Sequence, residues 1–181
     1  MHGLDHLPHE PSIVVANHPS WLDGLGLATV LPYGFRFVAG EVLAQERMSG
    51  FVLKRLGTEF VERFDRERGL TDTDRIVDLI DREQSLVIFP EGRLARAPGV
   101  RPFHMGAFVA AAQAAAAVVP VAIRGTRAIL RPEHHFPRHG AVDIAVGQPI
   151  APTGEGWTAA VELQRAARNE ILRLSGEPDV E

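Results

Sequence analysis

Short apolar runs and longer helical stretches alternate along the chain. Ser12-Ile13-Val14-Val15-Ala16 is apolar after its serine and too short for a helix, the pattern of a strand buried on both faces. Pro19, at a helix-opening position, leads into a mostly apolar helix over Leu22–Leu31. Phe35–Ala39 reads as a second strand, and Val42–Leu56 as a helix broken near Gly50 and ended by Gly57. Thr58–Val61 is a third strand. Thr71–Arg82 is an amphipathic helix with Ile76, Val77, Leu79 and Ile80 inward. Ser85–Phe89 is a fourth strand, stopped by Pro90, and an Arg-, Pro- and Gly-rich loop follows to Pro102. A helix over 104–117, strands over 118–124 and 142–146, and a last helix over 157–174 complete the reading.

Such alternation predicts an α/β fold: a single layered domain, with a mainly parallel or mixed β-sheet flanked by helices. The domain is expected to span residues 1–175, with the polar end 176–181 fraying. In open α/β sheets ligands gather beyond the carboxyl ends of the strands. Chemistry is therefore sought in residues 17–23, 62–66, 89–103 and 124–127.

Composition narrows the classes. With 181 residues, 45% hydrophobic and 23% charged, the chain has the make-up of one soluble globular domain rather than a disordered one. It has no cysteine, which excludes disulfides, thiolate metal sites and a cysteine nucleophile and fits a reducing compartment. A formal net charge of −4 argues against nucleic-acid binding. Lys54 is the single lysine among 19 cationic residues, and no glycine-rich phosphate loop leads to it. The uncharged stretch Met105–Ile123 approaches a membrane span in length, but it is mostly alanine and holds Gln113 and Pro120. It reads as a buried helix followed by a buried strand. The amino-terminal residues lack the basic and apolar regions of a signal peptide.

Four strand ends carry candidate chemistry. The first is Asn17-His18-Pro19-Ser20-Trp21-Leu22-Asp23. On a regular helix, residues five apart are separated by about 140°, so His18 and Asp23 meet only if His18 sits just outside the helix that Asp23 begins. There Asp23 would fix the imidazole tautomer, and His18 would act as a general base on a substrate hydroxyl, with no serine nucleophile beside it. The same residues also fit a capping box, Ser20-x-x-Asp23, with His18 on the surface. From this segment alone both readings stand. The second strand end is Gly57-Thr58-Glu59-Phe60-Val61-Glu62-Arg63, where Arg63 either binds an anion or pairs with Glu62 or Asp65. The third is Phe89-Pro90-Glu91-Gly92-Arg93-Leu94-Ala95-Arg96, in which Glu91 can orient a polar group, Gly92 allows close approach, and Arg93, Arg96 and Arg101 cluster. The fourth is Val119-Pro120-Val121-Ala122-Ile123-Arg124-Gly125-Thr126.

In this order the four blocks resemble the motifs of the glycerolipid acyltransferase family, the PlsC-type lysophosphatidic acid acyltransferases: NHxSxxD, GxxFIxR, FPEGTRS and VPVxIxGT. The resemblance runs from about Leu4 to Gly147 and implies the family's α/β fold. It further implies transfer of a fatty acyl group from acyl-CoA or acyl-carrier protein to a lysophospholipid, 1-acylglycerol-3-phosphate above all. By matching position, His18 is the catalytic base and Asp23 its orienter. Arg63 binds the acceptor phosphate, and Glu91 and Gly92 shape the acceptor site. The third motif departs from the pattern: Arg93 stands where threonine is usual and Leu94 where arginine is usual. Arg93 or Arg96 is then expected to take the phosphate from a shifted position. This version of the motif also resembles the lysophosphatidylethanolamine acyltransferase branch, often a domain of a larger fusion.

The implied partners are a lysophospholipid, an acyl thioester as co-substrate and a membrane surface, with no cofactor, metal or nucleic acid. The implied location is cytoplasmic, peripheral on the membrane face. Candidate membrane-contacting segments are Leu22–Phe35 and the 94–103 loop. A thioester hydrolase and a non-catalytic lipid-binding module are the rival classes. His134, His135 and His139 lack a nearby acid at ligand spacing, so no metal site is expected there.

Overall fold

Strand β1 (Ser12–Ala16) is buried along its whole length, and its alternate side chains enter opposite layers of the molecule. Ile13 and Val15 join one core, Val14 and Ala16 the other. A computed structural model describes residues 1–32, 34–40, 58–61, 69–94, 97–131 and 136–180. Among the described residues, β1 is joined in one six-stranded sheet by β2 (Phe35–Gly40), β3 (Glu59–Val61), β4 (Ser85–Ile88), β5 (Ala117–Arg124) and β6 (Asp143–Val146). The order is β3-β2-β4-β1-β5-β6. Every pairing is parallel except β5 with β6, so the sheet is mixed.

The helices follow the expected alternation. They are α1 (Asp23–Val30), α2 (Gly69–Asp81), α3 (Gly106–Gln113), α4 (Thr126–Ile129) and α5 (Gly156–Ser175). Leu27 of α1 packs with Val14, Phe37, Val87 and Val119 on one face of the sheet. On the other face, Ile76 and Ile80 of α2, Phe108 of α3, and Leu163 and Ile171 of α5 pack with Ile13, Leu86 and Val118. Neighbouring strands β1 and β4 thus leave through opposite layers, β1 through α1 and β4 towards α3. A chain that parts this way opens a crevice at the carboxyl ends of the two strands.

Several boundaries differ from the periodicity. The helix expected over 104–117 stops at Gln113. Ala115 there adopts a left-handed backbone (φ 49°), and the Ala116 N–H returns to the Ala111 carbonyl at 2.9 Å. In a run of alanines no change of residue type marks this stop. The short α4 was not anticipated. Gly125, which precedes it at φ 87°, admits no side chain: a Cβ there would lie 2.1 Å from the Ala141 carbonyl oxygen. The expected helix at 42–56 falls outside the described residues.

Residues 177–180, in the segment expected to fray, line up beside the 99–101 segment. Val100 N–H donates to Pro178 O at 2.9 Å, Val180 N–H to Val100 O at 3.3 Å, and Gly99 N–H to Glu177 Oε2 at 2.6 Å. Polar composition suggested a loose end, but here the polar groups are the fasteners. In the 94–103 loop, Val100 and Phe103 are buried in the core and are not available to a membrane.

Candidate active site

The crevice between β1 and β4 holds the first and third sequence blocks. Asn17 extends the β1–β5 ladder by one more pair: its Nδ2 donates to Ile123 O at 3.0 Å, and Ile123 N–H donates to its Oδ1 at 2.7 Å. This fixes the point at which the chain leaves the sheet. Asp23 then opens α1, and His18 lies just outside that helix.

Nδ1 of His18 lies 2.9 Å from Asp23 Oδ2, and the same oxygen accepts the Ser20 N–H at 2.7 Å. One carboxylate oxygen therefore ties the imidazole to the backbone at Ser20, while the N-cap of α1 is Leu22, with no side-chain cap bond. Asp23 is fully buried, and its other oxygen, Oδ1, has no hydrogen-bond partner among the described residues. An ionised carboxylate only accepts, so Nδ1 carries the imidazole proton and Nε2 presents a lone pair. The His18 side chain is about one-fifth exposed. Its ring stacks on Phe89, with centroids 4.1 Å apart and planes 16° apart, which fixes the direction in which Nε2 faces. Ser20 is no nucleophile beside this base, since its hydroxyl is buried and donates to Leu130 O at 2.6 Å.

Glu91 comes from beyond β4, in a turn closed by Gly92 N–H to Phe89 O at 3.1 Å. Gly92 lies at φ 76°, a backbone that favours glycine. The Glu91 carboxylate is buried and spans two segments. It accepts the His18 N–H at 2.9 Å on Oε1 and the Arg101 N–H at 3.2 Å on Oε2. Burial raises its pKa above the ordinary glutamate value, and the two backbone N–H groups oppose that rise. Its observed contact is thus to the backbone of the base itself.

Of the cationic candidates, Arg93 and Arg101 fall among the described residues. Arg93 is exposed and has no ion-pair partner among the described residues. The Arg101 side chain is half-buried. Arg63 and Arg96 lie outside the described residues, as do His134 and His135; His139 is exposed. Phe89 was not anticipated as part of the site. Its place at the carboxyl end of a buried strand was the available signal, but its ring contact with His18 depends on β1 and β4 being neighbours.

An open, apolar groove of about 340 Å³ runs along the outside of α1. Leu22, Leu25, Thr29 and Val30 line it from the helix, with Val142 and Ile144 opposite. Trp21 and Leu25 are 47% and 50% exposed, high values for large apolar side chains. No helix of the described residues is long and apolar enough to cross a membrane.

Comparison with known proteins gives the family. A family model described as Acyltransferase matches residues 1–124, which include His18, Asp23, Glu91 and Gly92. A lyso-ornithine lipid O-acyltransferase of Pseudomonas aeruginosa is 35% identical over 64% of this chain and 44% of its own. The 1-acyl-sn-glycerol-3-phosphate acyltransferase beta of Homo sapiens is 31% identical over 93% of this chain and 62% of its own. The chain spans about half the length of the curated relatives it matches. The crystal structure of the 1-acyl-sn-glycerophosphate acyltransferase PlsC from Thermotoga maritima shares the fold, at a TM-score of 0.75 and 22% identity. That match covers 96% of this chain and 70% of the other.

Proposed function

The chain belongs to the acyltransferase family, and from that membership we propose that it moves a fatty acyl group from a thioester to the hydroxyl of a lysophospholipid, with 1-acylglycerol-3-phosphate the leading acceptor. The observation that carries this reading is the His18 Nδ1–Asp23 Oδ2 bond, which leaves Nε2 without a partner among the described residues and open as a proton acceptor. In the proposed reaction Nε2 removes the acceptor's hydroxyl proton as the oxygen attacks the thioester carbonyl. The C–S bond then breaks, and the departing thiolate takes the proton back from the imidazolium. Buried Asp23 stabilises the imidazolium between these steps.

Acyl-CoA or acyl-carrier protein supplies the acyl group as co-substrate, and no metal or cofactor enters the scheme. Glu91 and Gly92 shape the acceptor side through the turn they form, and Arg63, Arg93 and Arg96 are assigned to the acceptor phosphate. The protein is proposed to work at the cytoplasmic membrane face, held peripherally. Exposed Leu25, which lines the apolar groove, and exposed Trp21 support that placement.

The test is acyl transfer by the purified protein, with labelled acyl-CoA and acyl-carrier protein as donors. The acceptors are lysophosphatidic acid, lysophosphatidylethanolamine and lyso-ornithine lipid. Acylated lipid is the expected product. Free fatty acid as the main product would make the protein a thioester hydrolase, and no turnover of either donor would overturn the catalytic reading.

A further inference from the structure

Arg168 is a charged side chain about 4% exposed, far from the motifs in sequence and beyond the residues the family model matches. A guanidinium so buried must place its N–H donors on acceptors. In this fold it does so on two segments at once. Its NH1 donates to Asp179 Oδ2 at 2.9 Å and its NH2 to Asp179 Oδ1 at 2.5 Å. NH2 also reaches Val100 O at 3.0 Å, and Nε reaches Arg101 O at 3.4 Å. The Phe103 ring lies beneath the guanidinium, its centroid 6.0 Å from Cζ.

The 99–101 segment is therefore gripped from both sides. Arg168 holds its carbonyls, while the strap 177–180 holds its N–H groups through Pro178 O and Glu177 Oε2. Glu177 is anchored in turn by Arg127 of α4 at 2.7 Å. Gly99, at φ 128°, lets the strap approach, since a Cβ there would lie 2.5 Å from Val180. The far side of the gripped segment leads to the active site. Arg101 N–H donates to Glu91, and Glu91 accepts the His18 N–H.

We propose that Arg168 and Asp179 are positioning residues for His18, acting through the Val100–Arg101 backbone and the Glu91 carboxylate. This rests on the reading of His18 as the base. The Arg101 N–H on Oε2 helps to fix the carboxylate that accepts the His18 N–H on Oε1, and the Arg101 N–H stays in place because the Arg168–Asp179 pair fixes the carbonyls beside it. The pair therefore sets the orientation of a base whose side chain it does not touch.

The experiment uses the full chain and three variants, Asp179→Asn, Arg168→Lys and Arg168→Met. Amide hydrogen exchange is followed at His18 and Arg101, with Val15 and Val119 of the central strands as references. In Asp179→Asn the His18 and Arg101 amides are expected to exchange about tenfold faster or more, with the reference amides within about twofold. In an acyl-transfer assay kcat falls with them, while both KM values move less. Arg168→Lys, which keeps the charge but loses the fork, falls between wild type and Arg168→Met. Unchanged exchange at His18 in Asp179→Asn would overturn the proposal, as would an equal acceleration at all four amides, the mark of a general loss of stability. The exchange measurement needs no turnover, so it decides the positioning role even if the wild-type protein transfers no acyl group.

Discussion

Asp23→Asn separates the two readings of one carboxylate, a backbone fastener at Ser20 or the orienter of a base. A fastener alone would tolerate the change, because asparagine caps backbone N–H groups about as well as aspartate. The geometry around Asp23 forbids that tolerance. If the amide oxygen takes the place of Oδ2, it can still accept from Ser20 N–H and His18 Nδ1. The amide nitrogen then occupies the site of Oδ1, which is buried with no partner among the described residues. Leaving that donor unpaired costs about 1–3 kcal/mol of stability. If the amide flips, its NH2 group faces the Ser20 N–H and His18 Nδ1, and the imidazole must move its proton to Nε2. The lone pair that accepts the substrate proton is then gone. In both arrangements the negative charge that stabilises the imidazolium is lost. We expect kcat to fall by about 10²–10⁴-fold, or about 2.7–5.5 kcal/mol in barrier. Stability should fall by no more than about 3 kcal/mol. Acyl-transfer kinetics measured beside urea unfolding give both quantities on one preparation. Near-wild-type kcat in a folded Asp23→Asn protein would refute the tautomer argument and leave Asp23 as a backbone fastener.

Four further outcomes are expected. His18→Ala removes the base but keeps the backbone N–H to Glu91, so turnover should drop by about 10²–10⁴-fold with little change in the unfolding midpoint. Retained turnover would assign the proton transfer elsewhere. Glu91→Gln sets an NH2 group against one of the two N–H donors and should cost about 1–3 kcal/mol in urea unfolding. Because burial raises the Glu91 pKa, the folded protein binds the proton more tightly than the unfolded chain does. Its contribution to stability therefore falls as pH rises from the ordinary glutamate range through the raised value, and a pH series of unfolding curves should lose that component in the variant. Arg63→Ala and Arg93→Ala should each weaken acceptor kcat/KM by about 1.5–3 kcal/mol, with the donor KM steady; unchanged acceptor kinetics in either removes that residue from the phosphate site. Trp21→Ser with Leu25→Ser should reduce co-sedimentation with phospholipid vesicles, and binding equal to wild type would move the membrane contact to another face.

Sequence by itself was enough for the layered α/β plan and for naming His18 and Asp23 as a pair, though it left open whether Asp23 caps or orients. Both depend on short-range information. A strand buried on two faces shows as a continuous apolar run, and β1, β4 and β5 all read that way. His18 and Asp23 are five residues apart, so a strand end, a proline and a helix start suffice to bring them together. The alanine run around α3 had no polar side to mark its ends, and its boundary was set by the turn at Ala115. What the fold alone decided are the contacts that need distant strands side by side. Strand order places β4 next to β1, and only then does Phe89 stack on His18 and Glu91 accept its N–H. The grip of Arg168 and the strap on the 99–101 segment is of the same kind, and it made an apparent loose end into a fastened one. Such pairings satisfy buried donors and charges across dozens of residues, so they follow from the packing of the whole sheet and leave no local pattern in the chain.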